Sequence, residues 1–443
     1  MARDSQVDWT AALTVPAPSS DRSDTPPPLT WRQTALAVLP AFLVTRLVVV
    51  ISGIVAIQIW GVKAVQDVYD PARYTTALGD LASTVIGPLA RWDAVWYIDI
   101  AEVGYPTDYA PRTAFFPLYP MLLRLGGWFV GSPLVAGLLI SLVCAFVGTM
   151  LFHRLTDLEL GRPAAKAATW ALLAFPGSMW FTAVYSEGLF LLLSVGCLLA
   201  ARQHAWAVAG TLGALASATR SAGVVLMVPL ALIAWEQYRQ RPRPADPRAE
   251  VGWREWPWRR PAIAVASVPI GILAYVLVLR VIGHSWMTSF DQQQEWGREN
   301  VGPISGLLRA IGAAGDGVAQ LLGTAPEASA ATPGAEWMNP LLLIFLAAGL
   351  IALVGVARRL PLAYAAYVGC ALLLPLSAPA VGGGEPLMSL PRFLGVLFPL
   401  AMWLGWWVSR PPHARRRGPA LLVVGLLMLA GVSMLTARWV FVA

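Results

Sequence analysis

Ala41-Phe42-Leu43-Val44-Thr45-Arg46-Leu47-Val48-Val49-Val50-Ile51 is the middle of an apolar run from residue 33 to residue 60, with one charge about halfway along. A helix of about 20 apolar residues crosses the hydrocarbon of a bilayer, so this run reads as a membrane span. Further runs follow near 132–152, 165–182, 187–202, 205–220, 222–238, 261–282, 339–357, 361–379, 391–409 and 418–437; those between 187 and 238 are short and crowded. The whole chain agrees. Of its 443 residues, 57% are hydrophobic and only 13% charged, with a mean hydropathy of +0.61, against about a quarter charged in soluble domains. The fold class expected is an all-α polytopic membrane protein with about 11 transmembrane helices.

Lys and Arg gather in cytoplasmic loops. With the N-terminus in the cytoplasm, the inside receives Arg154, Arg162, Lys166, Arg202, the cluster from Arg239 to Arg260, Arg358, Arg359, Arg410 and Arg415 to Arg417. That orientation predicts a multi-pass protein of the cell membrane. Residues 1–31, rich in Pro, Ser and Asp and without a short apolar segment, read as a disordered cytoplasmic tail. Residues 32–443 form one transmembrane domain, with 239–260 as a basic cytoplasmic loop. Segments 61–131 and 283–338 then face outward, and the Gly/Ala-rich part of the second is expected to be loosely ordered. Neither segment is large enough for a core of its own. Chemistry must sit where these loops meet the outer helix ends.

The first outer segment carries Arg91-Trp92-Asp93-Ala94-Val95-Trp96-Tyr97-Ile98-Asp99-Ile100-Ala101-Glu102-Val103-Gly104-Tyr105, followed by Ala114-Phe115-Phe116-Pro117-Leu118-Tyr119-Pro120. Read as a helix, the first motif puts Asp93, Tyr97, Ile100, Ala101 and Gly104 on one face. Asp99 and Glu102 fall on the opposite, solvated face. Asp93 is therefore the acid that looks into an aromatic, partly dry pocket, and the first candidate for catalysis. Glu187 is the second. It closes Phe175-Pro176-Gly177-Ser178-Met179-Trp180-Phe181-Thr182-Ala183-Val184-Tyr185-Ser186-Glu187, where Pro176 and Gly177 interrupt the helix and Ser186 is placed to cap the next one. A capped re-entrant turn explains that segment as well as a substrate contact does.

Arg220, Arg298 and Arg392 lie near outer helix ends, against the charge bias. Guanidinium groups bind phosphate oxygens through paired hydrogen bonds, so these three form a candidate phosphate cradle. The plainer reading is snorkelling to headgroups, or pairing with Glu187 or Glu385. Arg46 sits inside a span, where a charge is costly and commonly functional, though it would also serve to neutralise a carboxylate. Most of the 20 Trp suit interfacial anchoring. Trp92, Trp96, Tyr97, Trp180 and Trp296 fall instead in the motifs, where aromatic faces suit sugar C–H faces and isoprene units.

Other chemistries find no support. Cys144, Cys197 and Cys370 lie in apolar segments without metal-ligand spacing, and the four His are scattered, so no metal site is expected. The net charge of +7 is spread through short loops, which does not call for a nucleic-acid partner. Gly382-Gly383-Gly384 is a bare triplet that reads as a flexible turn. No Gly-rich phosphate loop occurs, so no nucleotide cofactor is expected. An activated donor would come from the lipid.

The motifs at 91–105 and 114–120 resemble the signature of the PIG-V family, the GPI mannosyltransferase II proteins and their prokaryotic relatives. Further similar motifs are Phe175 to Ser178, Tyr185-Ser186-Glu187, Ala218-Thr219-Arg220-Ser221, Gln294-Glu295-Trp296-Gly297-Arg298 and Leu390-Pro391-Arg392-Phe393. Together they run in order from about residue 35 to 410. The resemblance implies a GT-C glycosyltransferase, with polyprenyl-phosphate-mannose as donor and inverting transfer to an α-mannoside at the outer surface. It implies Asp93 as catalytic base, and it brings Arg91, Tyr119, Tyr185 and Gln294 in as substrate-binding candidates with the residues above. The two Lys against thirty Arg look bacterial, which makes a lipid-linked or cell-envelope glycan the expected acceptor. In eukaryotes the family works with an accessory subunit, on which this sequence is silent. Two other readings fit the same pattern. One is a same-fold transferase of another polyprenyl-linked sugar such as glucose or arabinose. The other is a non-catalytic flippase or transporter of a lipid-linked sugar, which wants its charges near mid-membrane rather than gathered at one face.

Overall fold

The computed structural model describes residues 27, 29–62, 66–240, 257–324, 336–380, 384–412 and 414–442. Most of the expected tail at 1–31, most of the basic loop at 239–260 and most of the Gly382–Gly384 triplet lie outside these residues.

Each apolar run named above is helical. The first is α1 (Trp31–Trp60), which begins in a capping box: Gln33 N–H donates to Thr30 Oγ1 at 3.2 Å and Thr30 N–H donates back to Gln33 Oε1 at 2.9 Å. The first loop contributes α2 (Asp93–Val103) and α3 (Leu118–Val130). The membrane helices continue as α4 (Pro133–Leu160), α5 (Arg162–Ala174), α6 (Glu187–Arg202), α7 (Trp206–Thr219) and α8 (Met227–Arg239), with α9 (Arg259–Ser267) and α10 (Ile270–Ile282) after them. The second loop holds α11 (Pro303–Leu321). Then come α12 (Asn339–Arg359), α13 (Leu362–Ser377), α14 (Leu390–Val396), α15 (Phe398–Val408) and α16 (Ala414–Ala437). Among the described residues there is no strand, only an isolated bridge between Arg298 and Ala380.

The chain is an all-α, multi-pass membrane protein. Among the described residues, six helical segments are long and apolar enough to cross a membrane, or seven if α14 and α15, bent by 73°, make one span. That falls short of about eleven for a physical reason. Several apolar runs are broken into pieces too short to cross alone: α5, with 13 residues, lies between Gly161 and Pro176, and α7, with 14, lies between the positive-φ turn at His204 and the extended Arg220. Leu, Ile and Val side chains on the perimeter are open, as at Ile59, Leu273 and Leu427, which suits a surface solvated by lipid.

Packing centres on α6, which is buried along almost its whole length between α4 and α7. Helix α15 lies against α5, and α16 against α1. Helix α11 departs from the loose order expected of its Gly/Ala-rich sequence. Gly306, Ala310, Ala314 and Gly317 recur on one buried face, and a side chain at Gly306 would fall 1.9 Å from the Leu376 carbonyl. Those small residues let α11 close against α13. The remainder of that stretch, 325–335, is outside the described residues.

Candidate active site

Helix α2 begins in an unusual turn. Trp92 has φ 56° and ψ −116°, a left-handed conformation that a bulky residue rarely adopts. One side chain holds both flanks of it: Tyr185 Oη accepts from the Asp93 N–H at 3.1 Å and donates to the Arg91 carbonyl at 2.9 Å. The Asp93 carboxylate is thereby placed at the wall of a cavity of about 390 Å³, a size that suits a small-molecule site.

Arg220, Arg298 and Arg392 line the same cavity, with Tyr97, Phe115, Phe116, Gln293, Trp296 and Phe393 among the other wall residues. The three cations come from separate places: the end of α7, the turn after Trp296 and the first turn of α14. Arg392 Nη1 donates to Asp93 Oδ2, and its Nε lies 2.9 Å from Glu187 Oε1. Arg220 Nη1 donates to the same Glu187 oxygen. Arg298 is anchored by main chain, donating to the carbonyls of Ala378 at 3.1 Å and Met388 at 3.4 Å. Burial pulls Arg298 down to about 10, which still leaves it charged at neutral pH. The Phe393 ring lies 5.6–5.7 Å from the guanidinium carbons of all three.

Glu187 differs from Asp93 in kind. Its side chain is fully buried, it is not on the cavity wall, and it sits behind the two arginines it bridges. The pairing with Glu187 weighed from sequence is thus present for Arg220 and Arg392 together with their place on the wall. Ser186 makes no capping bond; its hydroxyl meets Tyr97 Oη at 3.0 Å. Burial, and then the Glu187 charge, push the Tyr97 phenol up, so it stays protonated.

Other candidates lie elsewhere. Arg46 is buried and donates to Ser178 O at 2.6 Å, Thr182 Oγ1 at 2.7 Å, Ser178 Oγ at 2.9 Å and Leu173 O at 3.2 Å. It satisfies the backbone freed where Pro176 breaks the helix, and none of those partners is a carboxylate. Arg91 donates to Ala437 O at 3.1 Å and Thr75 Oγ1 at 3.2 Å and lies over Trp439. Trp92 packs with Tyr69, Trp439 and Phe441. Tyr119 is fully buried and bonded to Gly137 O and Ser141 Oγ. Trp96 stacks between Tyr109 and Phe115 and meets Trp296 edge-on, which braces the wall from behind. Gln294 is exposed, while its neighbour Gln293 lines the cavity. Asp99, expected to be solvated, pairs with Arg112 and accepts from Tyr74 Oη at 3.1 Å.

Several wall residues carried no signal in the sequence. Phe190, Tyr367 and Phe441 sit in ordinary apolar surroundings and reach the cavity only through helix packing. Gln293 had a partial one, a run of three Gln whose register a sequence does not fix.

Comparison with known proteins bears on this arrangement. Residues 37–239 match the model of the family described as Mannosyltransferase (PIG-V). Over that segment the chain is similar to the PIG-V family. GPI alpha-1,6-mannosyltransferase 2 of Cricetulus griseus is 31% identical over 175 residues, covering 36% of this chain and 34% of that protein. The Rattus norvegicus protein of the same name is 34% identical over 176 residues, covering 36% and 35%. The match thus spans about a third of the length of these curated relatives. The matched segment includes Asp93, Glu187, Arg220 and Arg46 and stops before Arg298 and Arg392. Among the described residues no group of three or more His, Cys, Asp or Glu is placed to hold a metal.

Proposed function

We propose that this chain is a GT-C mannosyltransferase that moves mannose, with inversion, from polyprenyl-phosphate-mannose to a lipid-linked or cell-envelope glycan on the extracytoplasmic side of the cell membrane. The observation that supports this best is the convergence of Asp93 with Arg220, Arg298 and Arg392 on one cavity walled by aromatic rings. The PIG-V match supports the sugar.

In this reading Asp93 takes the proton of the acceptor hydroxyl as its oxygen attacks the anomeric carbon. The C1–O bond to the phosphate breaks, and its electron pair leaves on the phosphate oxygen. The three guanidinium groups stabilise that growing charge, so no general acid is needed. Arg392 holds Asp93. An arriving phosphate competes for Arg392 and frees the carboxylate to act as base. Phe115, Trp296 and Phe393 offer faces for the sugar and the first isoprene units.

Against a transporter, Arg46 is committed to the helix break and offers no mid-membrane relay. The test is direct. Purified protein is given radiolabelled polyprenyl-phosphate-mannose and a membrane lipid extract, beside the same carrier loaded with glucose or arabinose. A new mannose-labelled glycolipid is expected. Absence of transfer from every donor would overturn the enzyme, and transfer from another donor alone would overturn the sugar.

A further inference from the structure

Glu187 is a buried carboxylate to which the reaction above gives no proton to carry. One of its oxygens serves both Arg220 and Arg392, and the other is buried without a hydrogen-bond partner among the described residues. A carboxylate placed so does two physical things. It fixes the separation of two guanidinium groups that would otherwise repel each other, and it removes one unit from the charge they present.

The charges gathered at the cavity are then few enough to count. Arg220, Arg298 and Arg392 stand against Asp93 and Glu187, which leaves one net positive charge. A phosphate diester, such as a sugar on a lipid phosphate, carries one negative charge and brings the site to neutrality. A phosphate monoester at pH 8, or a nucleoside diphosphate sugar, carries about two. The desolvation cost of an ion rises steeply with its charge, and an uncompensated charge in a dry site is expensive.

We propose that Glu187 is a positioning residue that sets this cradle to a single net positive charge, matching it to a lipid-linked phosphodiester donor and against dianionic phosphates. The proposal rests on the phosphate-cradle reading above. It also gives the product a reason to leave. Transfer converts a diester into a dianionic monoester while Asp93 takes the acceptor's proton, so the site stays neutral; once Asp93 returns that proton to water, the monoester's second charge exceeds what the site compensates.

The test reads binding alone, so it stands or fails apart from any sugar transfer. Farnesyl methyl phosphate and farnesyl phosphate differ by one charge at pH 8 and carry nearly equal charge at pH 5, since the second ionisation of a monoester lies near about 6. Their affinities for the full-length protein in detergent are followed by tryptophan fluorescence, Trp296 being in the wall. In Glu187→Gln the preference at pH 8 should move toward the monoester by roughly tenfold or more, since the added net charge acts at close range. At pH 5 the shift should vanish. A purely structural role would weaken both ligands alike at both pH values. Should that variant not fold, Arg220→Gln, with no net charge at the cavity, should move the preference toward the diester at pH 8. An unmoved ratio at pH 8, or a shift equally large at pH 5, would overturn the proposal.

Discussion

Arg392 donates to the carboxylate of Asp93 across 299 residues of sequence, so an acid from the first loop and a cation from near the last helices act as one unit. Each holds the other at the cavity wall. Asp93→Asn keeps the shape and an acceptor oxygen for Arg392 but loses the basicity. Turnover should fall by about 10²–10⁴-fold, with folded yield little changed and apparent donor affinity no weaker, because Asn competes less with the phosphate for Arg392. Near-normal transfer by this variant would remove Asp93 from its role.

Arg392 meets Asp93 through Nη1 and Glu187 through Nε, a fork that a single ammonium cannot reproduce. Arg392→Ala should weaken apparent donor affinity by roughly 10-fold or more and lower turnover as well, because Asp93 loses its support. Arg392→Lys should recover part of the affinity and little of the turnover. An unchanged donor KM in the Ala variant would place the phosphate elsewhere.

The sequence made the helices legible because apolar runs are long and lipid imposes one backbone solution. It made Asp93 and the three arginines legible because charge near membrane is scarce and each sat in a compact motif. What it hid was local geometry. Nothing in Arg91-Trp92-Asp93 announces the left-handed turn at Trp92, which depends on Tyr185 from a distant segment. Arg46 and Glu187 look functional by residue type alone, and only their bonds separate a brace for a broken helix from a bridge between two cavity cations. Arg91 and Trp92 are engaged by residues at 437–441, a pairing no local pattern encodes.

Gly177 supports the site without touching it. A methyl group there would lie 2.0 Å from the carbonyl oxygen of Pro391, main chain against side chain, at the residue before Arg392. Gly177→Ala must therefore push α14 away and carry Arg392 with it. Transfer should drop by about tenfold or more, since small misplacements of positioned groups are costly. Helical content should persist in circular dichroism. Wild-type kinetics would mean that the contact between these two segments does not set the position of Arg392.

Arg46 gives the opposite pattern. Its guanidinium meets two carbonyls and two hydroxyls around the break at Pro176, and Arg46→Met would leave those acceptors buried with weaker partners or none. Unpaired buried acceptors cost about 1–3 kcal/mol each, so the variant should lose several kcal/mol of stability, seen as a lower thermal midpoint and a smaller folded yield. The fraction that folds should bind donor with near wild-type KM, because none of these atoms is on the cavity wall. A variant of normal stability with a greatly raised donor KM would return Arg46 to the substrate-binding groups.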